Sequence, residues 1–117
     1  MSTMSPFSVQ EVLAIIHLES KFNPRATNKE STGLMQVNPT KKYSRKELLD
    51  PATNVYAGVE LLNKLYDITG SMEGALVSYN IGIGNFIKHR FRKSGKKYLN
   101  TFHRSHETIQ SCNLEEG

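Results

Sequence analysis

With 117 residues and 13.2 kDa, the chain has the length of one domain and can bury a single modest core. Its composition, 38% hydrophobic and 22% charged without a long block of like charge, excludes wholesale disorder. Its longest apolar run, residues 12–16, excludes a helical membrane span, which needs roughly 20. One cysteine, Cys112, excludes an intramolecular disulfide framework and an all-cysteine zinc site, and the formal charge of +4 fits mild attraction to a polyanion without choosing one.

Taken in chain order, helical signals dominate. Ser8 and Glu11 form a capping box, with Ser8 as N-cap and Glu11 reaching back to its amide. The helix they open carries Val9, Val12, Leu13 and Ile16 on its apolar side, with Ile15 on the same flank, and Asn23-Pro24 ends it. Residues 24–42 are rich in Asn, Thr, Ser, Gly and Pro and read as loop, with at most a short strand-like piece at 34–37. Ser44 and Glu47 make a second capping box for a short helix to Leu49.

Asp50 as N-cap and Pro51 at the first helical position open a third helix. It carries Val55, Val59, Leu62 and Tyr66 in one stripe, widened by Leu61 and Leu65, and stops at a left-handed Gly70. Ser71 caps a fourth helix through Tyr79, and the stretch Asn80-Ile-Gly-Ile-Gly84 breaks it. Asn85 starts a fifth helix to Lys93. Ser94-Gly95 separates that from a sixth over 97–109, before a frayed tail over 111–117. The expectation is one all-α domain spanning 1–117, with about six helices and one long irregular loop after the first.

Glu19 stands out from its helix. It lies three residues after Ile16 and four after Ile15, so it prolongs an apolar flank. Partial desolvation there, and a place in the last turn, both raise a carboxyl's pKa toward the range of a general acid at neutral pH. A rim glutamate pairing with Lys21 or Arg25 is the plainer alternative.

Its company narrows the choice. Glu19-Ser20, then Gly33-Leu34-Met35-Gln36, then Asp50-Pro51 with Asn54 and Gly58, then Ala75-Leu76 with Tyr79-Asn80 and the glycines 82 and 84 together resemble the successive motifs of the soluble lytic transglycosylase catalytic domain. That family has a lysozyme-like fold and is related to goose-type lysozymes. The resemblance covers about residues 9–85. It implies cleavage of the β-1,4 bond between N-acetylmuramic acid and N-acetylglucosamine in peptidoglycan, with no cofactor and no metal. Glu19 matches the family's essential glutamate, which protonates the glycosidic oxygen. It then takes the proton from the C6 hydroxyl of the same muramic sugar, closing a 1,6-anhydro ring.

The resemblance also implies roles for other residues. Ser20 hydrogen-bonds near the carboxyl; Gln36 and the backbone at Met35 line the cleft, although Leu34 and Met35 suit a plain core equally well. Gly33 lets the loop approach the sugar, Tyr79 bonds the substrate or Glu19, and Asn80 orients a sugar or caps its loop. Tyr98 is the best match to a late-helix tyrosine facing the site.

The acid inventory favours one carboxylate. The two aspartates are Asp50, a helix cap, and Asp67, facing out from the third helix, and none lies between Glu19 and Asp50. Glu30 is the loop acid nearest Glu19 in sequence and the one candidate for a second carboxylate, as in a muramidase-type hydrolase that flanks the bond with two.

Two other readings are weaker. The basic run Lys88-His-Arg-Phe-Arg-Lys93 with Lys96 and Lys97 could neutralise phosphates, but a nucleic-acid module leaves Glu19, Gln36 and Tyr79 unexplained. His103, His106 and Glu107 lack the metalloprotease spacing. The expected partner is therefore the peptidoglycan glycan strand, not nucleic acid, bound by a monomer. No secretory leader is visible over residues 1–8. A wall-acting enzyme of this kind would be cytoplasmic until released, as for a phage lysis or virion protein, or would be excised from a bacterial export signal.

Overall fold

The computed structural model describes residues 5–89 and 93–116. The order is α1 (Val9–Ser20), β1 (Thr27–Asn28), β2 (Ser31–Thr32), α2 (Arg45–Leu48), α3 (Pro51–Thr69), α4 (Met72–Ile81), α5 (Ile83–His89) and α6 (Lys93–Glu116). The fold is all-α apart from one two-stranded hairpin, as expected.

Local chemistry accounts for most boundaries. The Ser8 hydroxyl accepts from the Glu11 amide, and the Ser8 amide donates to Glu11 Oε1 at 2.8 Å. The same reciprocal box joins Ser44 and Glu47. Asp50 accepts from both the amide and the hydroxyl of Thr53, each at 2.9 Å, which holds its carboxyl below the usual range. Gly70 ends α3 at φ 81°. Helix α1 closes before Asn23-Pro24, on Lys21 in the left-handed region.

Four boundaries differ from expectation. The extended backbone after α1 is a hairpin pairing Thr27 with Thr32 and Asn28 with Ser31, not a piece at 34–37. Of those four residues only Val37 pairs, in an isolated bridge to Thr32. Helix α4 runs on to Ile81 and α5 begins at Ile83, because a single glycine, Gly82 at φ 91°, makes the turn. The Asn85 side-chain Nδ2 then donates back to the Ile81 carbonyl.

Ser94-Gly95 does not separate helices: both lie inside α6. Gly95 is buried there, and a Cβ on it would stand 2.9 Å from Val77 Cγ1, so this glycine brings α6 close to α4. Beyond it, α6 continues through Glu116 where a frayed tail was expected. Arg90, Phe91 and Arg92 of the basic run lie outside the described residues, as do 1–4 and 117.

Helix α1 packs on α6, and α4 packs on both α3 and α6. The shared core contains Ile15, Met35, Leu48, Leu62, Leu76 and Phe102. Val9, expected on the apolar side of α1, is 76% exposed in the first turn, and Ala14, Ile15 and Ile16 form the buried face. No helix among the described residues is long and apolar enough to cross a membrane.

Candidate active site

Two helices meet at Glu19. It ends α1 half-buried, and α6 brings Tyr98 across to it, so that the Tyr98 hydroxyl donates to Glu19 Oε2 at 2.8 Å. Two effects oppose each other at this carboxyl. Burial disfavours the anion and raises the pKa; the Tyr98 hydrogen bond favours the anion and lowers it. Burial is the larger, so Glu19 stands above its ordinary value of 4.5. Tyr98 is itself buried, and burial together with the Glu19 charge pushes its phenol well up, which keeps it a donor. A second polar link, His17 Nδ1 to Ser105 Oγ at 3.1 Å, joins the same two helices.

The loop between α1 and α2 is held to α3 by Asn54, which is fully buried. Its Oδ1 accepts from the Met35 amide at 2.8 Å. Its Nδ2 donates to the carbonyls of Thr32 at 2.7 Å and Leu48 at 2.8 Å. Gly33 makes room for that contact. Its φ is +83°, and a Cβ would fall 2.1 Å from Asn54 Nδ2. Met35 takes the core alternative: its side chain is fully buried, seated where a Cβ on Gly58 would come within 2.5 Å of Sδ.

Gln36, at φ 51°, closes the loop on itself by donating to the carbonyls of Ala26 and Gly33. The Tyr79 hydroxyl donates to the Met35 carbonyl, not to Glu19. Burial and the Glu19 charge both raise its phenol, which places Tyr79 within the field of that carboxylate. Ser20 Oγ donates back to the Ile16 carbonyl at 3.1 Å. Glu30 is exposed in the hairpin turn, and no second carboxylate among the described residues acts on Glu19.

An open groove of ≈ 780 Å³ adjoins this loop, lined by Gln36, Tyr79, exposed Asn80 and Gly82 together with the outer side of α3. Glu19 is not in its wall; Tyr79 is the residue common to groove and carboxylate.

The family model described as "Transglycosylase SLT domain" matches residues 2–102. The chain belongs to the transglycosylase SLT domain family. A protein of Enterobacteria phage PRD1 named "Transglycosylase" is 35% identical over 74 residues, 61% of this chain and 28% of that protein. The chain therefore corresponds to a minor part of that relative's length. No solved structure matches. The SLT match continues past Asn85 and takes in Tyr98.

Sequence reasoning on this SLT domain missed two features. Asn54 entered only as a motif position, because its partners are main-chain groups 19, 22 and 6 residues away. The basic side of the groove, with Lys41, Lys42 and Lys64, was not singled out. The adjacent lysines at 41 and 42 and the i, i+4 spacing of Glu60 and Lys64 were its only signals.

Proposed function

We propose that this SLT domain is a peptidoglycan lytic transglycosylase in which Glu19 alone serves as acid and then base. A carboxyl raised by burial is protonated in a larger share of molecules near neutral pH than an exposed glutamate. The Glu19 proton passes to the glycosidic oxygen as the bond from C1 of N-acetylmuramic acid breaks. The positive charge developing at C1 is met by the acetamido oxygen of the same sugar. Glu19, now ionised and held by the Tyr98 hydroxyl, takes the proton of the C6 hydroxyl. That oxygen closes on C1, giving the 1,6-anhydro ring and returning Glu19 to its acid form. No water is consumed, and no second carboxylate is needed to activate one.

The observation that carries this reading is the half-buried Glu19 carboxyl bonded by Tyr98, in a chain whose family match includes both residues. Tyr79, Asn54 and Gln36 act indirectly, by fixing the loop beside it. The place of action follows from the substrate: the bacterial cell wall.

The test is Glu19→Gln, which keeps the shape and removes the proton transfer. Release of soluble fragments from purified peptidoglycan should fall by about 10²–10⁴-fold, with the circular dichroism of the native protein retained. Cleavage at the unsubstituted rate would overturn the assignment.

A further inference from the structure

The groove that shares Tyr79 with the surroundings of Glu19 has more charge than the uncharged sugars of a glycan strand call for. Three lysines line it, Lys41, Lys42 and Lys64, against one carboxylate, Glu60. That carboxylate is already engaged. Its Oε2 accepts from Lys42 Nζ at 2.8 Å and its Oε1 from the Tyr43 hydroxyl at 3.3 Å. Lys42 also lies 5.5 Å from the centroid of the Tyr43 ring. The Lys42–Glu60–Tyr43 set thus ties the loop to α3 with its charges cancelled. It leaves Lys41 and Lys64 exposed and without a direct ion pair among the described residues, Lys64 reaching Glu60 only as a weaker through-space charge.

The sugars of a glycan strand present hydroxyl and acetamido groups, which are uncharged. The carboxylates of peptidoglycan sit on the peptide stems borne by the muramic residues. We infer that the groove is a stem-peptide subsite, with Lys41 and Lys64 binding stem carboxylates while the sugar backbone runs past Glu19. This inference rests on the transglycosylase reading above. The groove walls support it, since Gln36, Tyr79 and Asn80 line the groove and lie in the segment matched by the SLT family. Both cations are solvent-exposed, so each contact is modest and salt-sensitive.

The test uses defined muropeptide oligosaccharides of one length, with stem carboxylates either free or converted to carboxamides. This removes the negative charge with little change of shape and leaves out the phosphate polymers of whole walls. Affinities are measured by titration calorimetry on Glu19→Gln, so that cleavage does not interfere. At low salt the free-carboxylate form should bind about 4- to 25-fold more tightly, from about two- to five-fold per exposed ion pair. Adding Lys41→Gln and Lys64→Gln should erase the difference, and the corresponding Lys→Arg pair should keep it. Equal affinity for the two ligands in Glu19→Gln, or a preference that survives both Lys→Gln changes, would overturn the subsite. The transglycosylase reading fails separately, on the absence of cleavage by the unsubstituted protein.

Discussion

Glu19 and Tyr98 form a pair whose two contributions to acidity can be separated by experiment. Burial raises the Glu19 pKa and the Tyr98 hydrogen bond lowers it, so Tyr98→Phe should raise it further. If the acid form of Glu19 starts the reaction, the alkaline limb of kcat/KM then moves to higher pH in Tyr98→Phe; a limb that stays in place or moves down contradicts the pairing. Stability gives an independent reading. The native carboxyl titrates above its ordinary value of 4.5. The stability linked to its protonated form is therefore fully present below about 4.5 and is lost as pH rises through the native value. Glu19→Gln should accordingly gain more in Tm over the parent at pH 7 than at pH 4, and the opposite order would contradict the burial effect. Glu19 was legible in sequence because its apolar flank is local, at i−3 and i−4. Tyr98 was not legible from pattern: 79 residues separate it from its partner, and only the resemblance pointed to it. The hydroxyls of Ser20 and Tyr79 went elsewhere because main-chain carbonyls, at Ile16 and Met35, lay within reach.

At the level of elements, the α1–α2 loop and the α4–α6 contact position the pair. Asn54→Ala would leave the Met35 amide and two carbonyls buried without their side-chain partner. The expected cost is about 3 kcal/mol, read as a lower denaturant midpoint; a loss below about 0.5 kcal/mol would mean that the loop holds itself. Gly95→Val would press a larger side chain against Val77. It should cost about 2 kcal/mol and lower activity as well, because Tyr98 lies one helical turn further along α6; full activity at unchanged stability would contradict the close approach. These elements also show what local pattern reveals. The boxes at Ser8 and Ser44 and the Asp50 and Ser71 caps were legible because a cap is a contact within three residues. Gly95 was misread as a breaker because a helix-packing glycine looks the same in sequence as a loop glycine. The 24–42 segment was rightly loop-rich, but its attachment to α3 runs through Asn54, which bonds the Thr32 carbonyl across 22 positions and passes close to Gly33.

Across the whole molecule, a small helical domain sets one half-buried carboxylate, Glu19, near Tyr79, which also lines a groove with excess positive charge. The net +4 of the chain gains a location at this scale, since Lys41 and Lys64 stand in that groove without a direct ion pair among the described residues. The scarcity of aspartate acquires a structural counterpart: Asp50 caps α3, Asp67 is exposed, and no second carboxylate among the described residues acts on Glu19. One acid working with the C6 hydroxyl of the substrate gives a different product from two acids activating water. The most direct test is mass spectrometry of the muropeptides released from purified peptidoglycan, run beside Glu19→Gln. Catalysis by Glu19 alone predicts saccharide ends in the 1,6-anhydro form, lighter by one water than hydrolysis products, and their loss in Glu19→Gln. Hydrated reducing ends from the unsubstituted protein, or anhydro products persisting in Glu19→Gln, would contradict it.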